Sequence, residues 1–431
     1  MEETKFRKQN KKLDTMSLRG EFDQLTRKYN LNSLSGGVPH MNPPKFVVDN
    51  LLEAINQGKN QYTSSYGHPD ARKYIAEYYQ DKFEHQIDPN TEVLVSNGAL
   101  TTLNIFFEAF IANEEDEVIL IEPFFAFYSP LVLNAKGTIK TVPMVLEDSK
   151  YRLDLDILKE TLNSKTRLIV LNTPHNPTGK VFTLEELEQI SDILEEYPHV
   201  YVLSDEVYFF LTFDERPHHF FANIKDNWKK TVTLYSGSKV MCATGWKVGW
   251  AIGPAEIIRE AVVIHDANTF CFNVPGQIAV AKSLKQAEGE EYEGCSSLFE
   301  LQRQDYKKSH DMLIESLNEI DLPIKPIPAE GGYFIMADIS ELKDIIPKKY
   351  LEQNEYEDDE NTTIEKRNAG IPVPLDLAVS RWLAFEKKLV TAPISAFCYR
   401  KSPYITYNYL RIAICRGEEI TKKALDDLKS N

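Results

Sequence analysis

Short apolar runs alternate with helix-like stretches between residues 90 and 280. Several of these runs are apolar throughout rather than at every second position, which is typical of strands covered by helices on both faces. Helical patterns between many of them are what βα units require. The pattern therefore predicts an α/β fold, with a three-layer αβα large domain around a mostly parallel sheet. The strand candidates are residues 92–96, 117–122, 167–172, 200–205, 232–236 and 248–253.

The two ends of the chain carry different patterns. Apolar residues at helical spacing before residue 30 predict an N-terminal helix. Helical patterns follow at 45–56 and 70–82, and Asp70 is the predicted cap of the second. After about residue 300 a helix, a strand at 331–340 and a final strand–helix pair predict a smaller α+β domain.

These patterns predict three parts of the chain. Residues 1–48 are expected to form an N-terminal arm and part of the small domain, residues 49–305 the large cofactor-binding domain, and residues 306–431 the C-terminal small domain. The highly polar stretch 348–369 is expected to be a mobile loop.

Composition narrows the classes of function. The 431-residue chain is 42% apolar and 26% charged, which is ordinary for a globular protein, and its formal net charge is −16. A nucleic-acid-binding protein shows a basic face, so no nucleic-acid partner is expected. The sequence has no apolar run of about 20 residues, so no membrane helix is expected either.

The cysteines bear on metal binding and on the compartment. The sequence has five, without a C-x-x-C pair or a histidine cluster, and no metal is therefore expected. An odd number of cysteines and a charged N-terminus without the features of a leader predict a cytoplasmic protein.

Polar residues follow three of the strand candidates. Asn176 lies beyond one of them, a second ends on Asp205 with Tyr208 just after it, and a third leads to Lys239. In an open parallel sheet, ligands bind beyond the carboxyl ends of the strands. Pyridoxal 5'-phosphate (PLP) requires an amine for a Schiff base, a carboxylate for its ring nitrogen, and amide, phenol and hydroxyl groups for its oxygens. The strand ends therefore predict PLP as the cofactor.

Motifs spread over most of the chain carry a family resemblance. They are NQYTSSYGHP (60–69), IEPFFAFY (121–128), NTPHNPTGK (172–180), DEVY (205–208), SGSKVMCATGWKVGW (236–250), GGYFIMADIS (331–340), APISAF (392–397) and YLRIAIC (409–415). With these motifs the chain resembles the class I/II aminotransferases of fold type I, and among them the kynurenine aminotransferase, glutamine transaminase and cysteine-conjugate β-lyase group. The resemblance implies a PLP-dependent enzyme that moves an amino group from an L-amino acid to a 2-oxo acid.

The resemblance also implies catalytic roles. Lys239 resembles the lysine that holds PLP as a Schiff base and then moves a proton between the substrate Cα and the cofactor. Asp205 resembles the carboxylate that keeps the pyridine nitrogen protonated, which makes the ring an electron sink. Tyr208 and Asn176 resemble the pair that bonds the ring oxygen.

The remaining cofactor contacts implied by the resemblance are an aromatic ring on the cofactor face, donors to the phosphate, and a tyrosine from the partner subunit of a homodimer. They are Phe125 for the ring face, Gly98, Ala99, Leu100, Ser236, Ser238 and Lys247 for the phosphate, and Tyr62 for the tyrosine across the dimer.

Substrate binding is implied at four further positions. Arg411 resembles the arginine that clamps the α-carboxylate as a two-pronged pair. Gly37 and Asn176 are expected to assist it by hydrogen bonds. Phe272 resembles an aromatic residue that is contributed across the dimer.

Two positions depart from the pattern of this group. Arg19 stands where an aromatic residue lines the substrate pocket, and Asn273 stands where histidine is frequent. We therefore hypothesise that Arg19 favours an acidic or polar substrate.

Other functions of the same fold stay open at this point. β-Elimination of cysteine conjugates or oxidation of an amino acid would begin with the same residues. A non-catalytic PLP-binding regulator would need an added DNA-binding module, for which an N-terminal tail of about 30 residues is too short.

Overall fold

A computed structural model of the chain describes residues 15–352 and 373–429, with side chains from Gly20 onward. Its helices are α1 (Thr15–Tyr29), α2 (Lys45–Asn56), α3 (Pro69–Tyr79), α4 (Ala99–Phe110), α5 (Tyr128–Asn134), α6 (Leu155–Thr161), α7 (Leu184–Glu195), α8 (Gly237–Val240), α9 (Ala255–Asn268), α10 (Val274–Lys282), α11 (Leu284–Gly289), α12 (Leu298–Glu319), α13 (Lys348–Glu352), α14 (Leu375–Glu386) and α15 (Glu418–Lys429). Its strands are β1 (Asn32–Ser33), β2 (Val93–Ser96), β3 (Glu117–Glu122), β4 (Thr138–Glu147), β5 (Lys150–Leu153), β6 (Thr166–Asn172), β7 (Tyr201–Asp205), β8 (Thr231–Ser236), β9 (Gly249–Ile252), β10 (Lys325–Ile327), β11 (Phe334–Asp338), β12 (Leu389–Val390), β13 (Ala392–Pro393) and β14 (Tyr409–Ala413).

Eight strands form the central sheet, in the order β2-β9-β8-β7-β6-β3-β4-β5. Strands β2, β3, β4, β6, β7 and β8 share one direction, while β9 and β5 are antiparallel to their neighbours. The prediction of a mostly parallel sheet is therefore confirmed. Each of the six strand candidates agrees with an observed strand to within one residue at either end.

The apolar character of these strands follows from burial on both faces of the sheet. In β2, Val93 and Val95 pack on one side with Ile75 of α3, whereas Leu94 packs on the other side with Phe106 of α4. Because successive side chains of a strand point to opposite faces, each position must be apolar when helices cover both. The three-layer arrangement is the result.

The sequence pattern missed the edge of the sheet. Positions in β4 alternate between buried and partly exposed, Pro143 lies in its middle, and β5 also alternates. Strands of this kind are typical of an edge, where one face or one backbone side remains in water.

Two local predictions were wrong. Asp70 does not cap α3, because the helix begins at Pro69 and the side chain of His68 accepts the hydrogen bond of the Asp70 N–H. Residues 348–352 of the expected polar loop form α13, whose Tyr350 hydroxyl donates to Glu386 of α14 at 2.8 Å. Residues 353–369 of that predicted loop lie outside the described residues.

A second, smaller sheet contains β10, β11, β14 and β13 in that order, with all pairs antiparallel. Helix α12 packs against β10 and α14 packs against β13 and β14, which gives the predicted α+β domain. The short strand β1 pairs in parallel with β12, so the segment after α1 reaches this part of the chain. The domain boundaries at residues 48 and 305 stay a prediction. Among the described residues, no helix is long and apolar enough to cross a membrane.

A buried ion pair fixes the N-terminal helix. Glu21 of α1 accepts two hydrogen bonds from the guanidinium of Arg381 in α14, at 2.8 and 3.1 Å. Each side chain is only 6% exposed. Removing one partner of such a pair leaves a buried charge without compensation, whereas replacing both with apolar groups avoids that cost.

We expect Arg381→Met to lower the free energy of unfolding by roughly 3–5 kcal/mol, since the Glu21 carboxylate would stay buried without its partner. Urea unfolding at fixed protein concentration measures this. The double variant Glu21→Leu/Arg381→Met should recover most of the loss. Arg259→Met is the control, because Arg259 pairs with Glu260 at the surface and is 68% exposed. A loss below about 1 kcal/mol in Arg381→Met, the usual value of a surface pair, would contradict the expectation.

Candidate active site

The carboxyl ends of the central strands meet at one edge of the sheet. Asn172 of β6 lies opposite Asp205 of β7 in the ladder. Ser236 of β8 and Ser96 of β2 both lie opposite Gly249, the first residue of β9. Because β9 runs antiparallel between β2 and β8, the turns that follow these two strands emerge side by side. The sheet thus brings together the segments that follow β2, β6, β7 and β8.

Asp205 is a buried carboxyl group at the end of β7. Burial raises its pKa from 3.8 to about 6, partly offset by hydrogen bonds from Tyr128 and from the Val207 N–H. The Tyr128 hydroxyl donates to Oδ2 at 2.5 Å, and the Val207 N–H donates to Oδ1 at 3.3 Å. The Asn172 amide donates to the Asp205 carbonyl at 2.8 Å and so fixes the strand end.

Tyr208 and Asn176 lie in the segments that follow β7 and β6. Tyr208 is buried with its ring centroid 4.8 Å from that of Tyr333, and burial raises the pKa of its phenol. The Asn176 N–H donates to Oδ1 of Asn172 at 2.7 Å. Oδ1 of Asn176 accepts from Arg411 at 2.9 Å. Asn176 therefore connects the strand ends of the central sheet with the smaller sheet.

Lys239 lies in α8, directly after β8. Its Nζ donates a hydrogen bond to the carbonyl of Gly37 and lies 5.1 Å from the centroid of the Tyr333 ring. The Tyr333 hydroxyl in turn donates to the Lys239 carbonyl at 3.2 Å. The side chain is therefore held at the edge of the sheet, facing the N-terminal segment.

Arg411 lies in β14 between two aromatic rings. The guanidinium carbon is 3.8 Å from the ring centroid of Phe334 and 4.3 Å from that of Phe397. One of its nitrogens donates to the Ser35 carbonyl. Gly37 lies close by, since a Cβ at this position would come within 2.6 Å of the Phe334 ring. The stacking fixes the plane of the guanidinium group, and the glycine lets the N-terminal segment approach it.

The turn between β2 and α4 forms a cradle beside Lys247. Gly98 has φ +82°, and a Cβ built there would lie 3.2 Å from the Lys247 Nζ. A Cβ at Gly249 would come within 2.6 Å of the Ala99 nitrogen, so the two turns are in backbone contact. Ala99 and Leu100 begin α4, whose N-terminal N–H groups favour an anion. The cradle thus combines backbone donors with an ammonium group.

Ser236 and Ser238 lie beside this cradle with different surroundings. Ser236 is buried at the end of β8. The Ser238 hydroxyl accepts a hydrogen bond from the Val248 N–H at 3.2 Å and lies 3.4 Å from the Val248 carbonyl. In this structure its hydroxyl therefore ties the Lys239 turn to the strand that follows.

The structure places the predicted aromatic positions apart from one another. Phe125 is half-buried, and its ring lies edge-on to Tyr128 at 5.5 Å. Tyr62 is 83% exposed and lies beside Phe270, with 5.4 Å between ring centroids. Phe272 is half-buried, with its ring against His265. Phe125 therefore packs on Tyr128, which donates to Asp205, whereas Tyr62 lies on the surface, and the roles predicted for both stay predictions.

The two atypical positions differ in what can be described. The Arg19 side chain lies outside the described residues, so the hypothesis about it stays a prediction. Asn273 caps α10, where its side chain accepts from the Gly276 N–H at 3.1 Å. It also donates to the Trp246 carbonyl at 3.2 Å. The Asn273 side chain thus holds two backbone segments together, which is a structural reason for asparagine at this position.

Two residues of this site were missed by sequence reasoning. Tyr128 is the last residue of the IEPFFAFY motif, and Asn172 is the first of NTPHNPTGK. A polar residue at the end of an apolar run of four residues, as Asn172 is, was the available signal. Nothing in the spacing of Tyr128 distinguished it from the core aromatics around it.

These groups fit PLP by their chemistry. A buried carboxyl group suits a protonated ring nitrogen, and a neutral phenol and an amide suit a ring oxygen. The cradle at Gly98 with Lys247 suits a phosphate. Lys239 offers the amine that the cofactor needs, at the same edge of the sheet.

Comparison with known proteins agrees with this assignment. The model of the family "Aminotransferase class I and II" matches residues 29–428. A kynurenine–oxoglutarate transaminase of Dictyostelium discoideum is 36% identical over 95% of this chain and 92% of its own. Kynurenine–oxoglutarate transaminase 1 of Homo sapiens is 32% identical over 94% and 93%. The solved structure of N-succinyldiaminopimelate aminotransferase from Mycobacterium tuberculosis superposes with a TM-score of 0.81 at 28% identity, over 95% of this chain and 96% of that one.

The family match spans both sheets and each of the segments that meet at the site. PLP is the cofactor of this family, and its members move amino groups to 2-oxo acids. The chain therefore belongs to the class I and II aminotransferases and is a PLP-dependent enzyme of the transaminase type.

Proposed function

We propose that Lys239 and Arg411 act on the two ends of one amino acid, Lys239 on the Cα side and Arg411 on the α-carboxylate. One observation carries the proposal. Arg411 donates a hydrogen bond to the Ser35 carbonyl, and Lys239 donates one to the Gly37 carbonyl. Both cations thus contact the same turn from opposite sheets. A substrate that bears a carboxylate and an amino group on the same carbon requires this proximity.

The reaction follows from the residues around these two. When bound, PLP supplies an aldehyde carbon that takes up the amino group and a ring that withdraws electrons from the substrate Cα. Lys239 holds the cofactor first and, once displaced by substrate, moves the proton as a general acid and base. Asp205 holds the proton of the ring nitrogen, and Tyr208 and Asn176 bond the ring oxygen.

The surroundings of Arg411 support its role as a clamp. Its guanidinium plane is held between the rings of Phe334 and Phe397. A planar fork that is already oriented loses little entropy when a carboxylate binds in a two-pronged way. Lysine would supply the charge without the fork, so it would be a poor replacement.

The substrates are proposed at the level of class. The relatives at 36% and 32% identity are named kynurenine–oxoglutarate transaminases, so kynurenine with 2-oxoglutarate is the first pair to assay. A panel of glutamate, glutamine and aromatic donors tests the alternative that Arg19 favours a polar or acidic substrate. Unchanged preference in Arg19→Ala would contradict that alternative. β-Elimination or oxidation stays a second candidate, because it begins with the same bound cofactor.

Addition of an amino donor alone should remove the visible absorbance of the bound cofactor, and a 2-oxo acid should restore it. This cycle distinguishes transamination from elimination or from oxidation by oxygen, which regenerate the starting form of the cofactor without a 2-oxo acid. Lys239→Ala should lower turnover by at least about 10³-fold, since it removes the acid–base group and the cofactor attachment together.

Lys229→Ala is the control for this experiment, because Lys229 is an exposed lysine that pairs with Asp226. It should turn over like the parent protein. Normal activity in Lys239→Ala would overturn the assignment of the lysine, whatever the substrate proves to be.

We also propose that the enzyme is a homodimer with shared active sites. Val48, Leu52 and Ile55 of α2 are exposed at helical spacing and form an apolar stripe. Tyr62 and Phe270 add two exposed aromatic rings. Large exposed apolar groups of this kind favour an interface, and a twofold dimer is the commonest way to cover them. Tyr62 would then reach the phosphate of the partner's cofactor.

Mixing two inactive variants tests the shared site. In a hybrid of Tyr62→Ala and Lys239→Ala subunits, one site has both defects and the other has neither. If Tyr62 acts across the dimer and the subunits exchange at random, about a quarter of the sites should regain activity. Mixed and separately incubated samples are compared by turnover. The absence of recovery, with hybrids detected by mass, would contradict the shared site.

The proposed role of Asp205 has a cost in the cofactor-free protein. Its folded pKa of about 6 exceeds the ordinary value of 3.8, so folding favours the protonated form. Below pH 3.8 the group is protonated in both states and costs nothing. As the pH rises to about 6, stability is lost, and this difference corresponds to about 3 kcal/mol.

In the cofactor-free protein, we expect Asp205→Asn to gain up to about 3 kcal/mol in stability relative to the parent between pH 4 and pH 7. Asparagine keeps the shape of the side chain and carries no charge to desolvate. Urea unfolding across this pH range measures the difference. Asp148→Asn is the control, since it makes the same substitution at an exposed position. A constant difference for Asp205→Asn would contradict the burial cost.

Finally, we propose a cytoplasmic location. All five cysteines are free, and three of them are buried. Free thiols in this number suit a reducing compartment, where disulfides do not persist.

A further inference from the structure

The phenol of Tyr128 makes a short hydrogen bond to the carboxyl group of Asp205. Its hydroxyl donates to Oδ2 at 2.5 Å, in the range of charge-assisted O–H···O⁻ bonds. Oδ1 is held only by the Val207 N–H at 3.3 Å, among the described residues. Oδ2 therefore accepts a strong hydrogen bond and Oδ1 only a weak one, so Oδ1 keeps most of its capacity to accept a further hydrogen bond.

Tyr128 can act here only as a donor of this hydrogen. The residue is buried at the start of α5, and burial raises the pKa of its phenol well above the ordinary value. The phenol therefore stays protonated. A carboxylate accepts this hydrogen bond as a strong, charge-assisted bond. A carboxylic acid accepts it only as an ordinary hydrogen bond between neutral groups.

The ring of Tyr128 has little freedom to turn its hydroxyl away. It lies nearly parallel to Phe124 at 6.4 Å and edge-on to Phe107 at 6.5 Å. It is also edge-on to Phe125 at 5.5 Å, the aromatic residue predicted to cover the cofactor ring. A donor held by packing on several sides needs no rearrangement to serve its acceptor.

Two physical effects therefore oppose each other at Asp205. Burial in the covered sheet favours the neutral acid, while the bond from Tyr128 favours the carboxylate. In a pair of a carboxyl group and a ring nitrogen that share one proton, whatever stabilises the carboxylate leaves the proton on the nitrogen. The ring withdraws electrons best in that form.

We propose that Tyr128 is a positioning residue that keeps the shared proton of the Asp205–ring nitrogen pair on the nitrogen. The inference rests on the proposed role of Asp205 and extends it to a residue that does not touch the substrate. Tyr128 acts through the carboxylate alone.

The test is Tyr128→Phe in the holoenzyme, reconstituted with PLP that carries ¹⁵N in its ring. The ¹⁵N chemical shift reports directly whether the ring nitrogen is protonated. We expect it to move toward the value of a neutral pyridine, with the ratio of protonated to neutral nitrogen lower by about tenfold, because charge-assisted bonds are roughly twice as strong as neutral ones. A merely structural role would not move this signal.

Tyr235→Phe is the matched control. Tyr235 is equally buried, and its hydroxyl has no hydrogen-bond partner within residues 15–352 and 373–429. Loss of that hydroxyl should leave the ¹⁵N signal at its parent position. If Tyr128→Phe does not fold, 3-fluorotyrosine at position 128 replaces it, since the stronger donor should shift the equilibrium in the opposite direction.

Asp205→Asn distinguishes a failure of the proposed role of Asp205 from a failure of the inference about Tyr128. If Asp205→Asn moves the ¹⁵N signal and both Tyr128 variants leave it unchanged, Asp205 keeps its role and the inference about Tyr128 is wrong. If Asp205→Asn also leaves the signal unchanged, the proposed role of Asp205 fails and the inference fails with it. Movement in Asp205→Asn and Tyr128→Phe, with none in Tyr235→Phe, is the supporting result.

Discussion

A carboxylate without water around it must be held by donors of the protein, and the end of β7 is built around that need. Asp205 lies in a sheet that helices cover on both faces, where burial alone would leave it neutral. The Tyr128 hydroxyl donates a hydrogen bond to the Asp205 side chain, and the Asn172 amide donates one to the Asp205 carbonyl. The same Asn172 holds the backbone of Asn176, so the two positions proposed to bond the ring nitrogen and the ring oxygen share one support. Burial of this carboxylate lowers the stability of the cofactor-free protein, and such a loss of stability is common at functional sites.

The N-terminal segment between α1 and α2 joins the two sheets at the site. Arg411 belongs to the smaller sheet and Lys239 follows a strand of the central one, yet both donate to the turn at 35–37. This turn can approach closely only because position 37 has no Cβ. The proposed substrate-binding half of the site therefore depends on a segment that belongs to neither sheet.

Features that follow from the pattern of apolar residues could be predicted from the sequence, whereas features that depend on contacts between distant residues could not. Continuous apolar runs located six central strands, because every side chain of a strand that is buried on both faces of the sheet must be apolar. Strand β4, which lies next to the edge strand β5, was missed because its alternating positions and Pro143 resemble a loop. Spacing along the chain could place Asp205 at the end of β7 and Lys239 just after β8, because both lie next to predicted strands. Tyr128 could not be placed in this way, since only the folded chain shows that its hydroxyl points to a carboxylate 77 residues away.

The pairing of the N-terminal segment with late parts of the chain has a consequence for synthesis. Glu21 meets Arg381 across 360 residues, and β1 pairs with β12 over a similar span. At 5–20 residues per second, a ribosome needs roughly 20–70 s between the two partners. Throughout that interval the N-terminal segment, whose Phe22, Leu25 and Leu34 are buried in the finished fold, lacks this ion pair and this strand pairing. The emerging chain thus offers apolar side chains of this segment to chaperones until its later partners have been made, and Arg411, the proposed carboxylate clamp, is made later still.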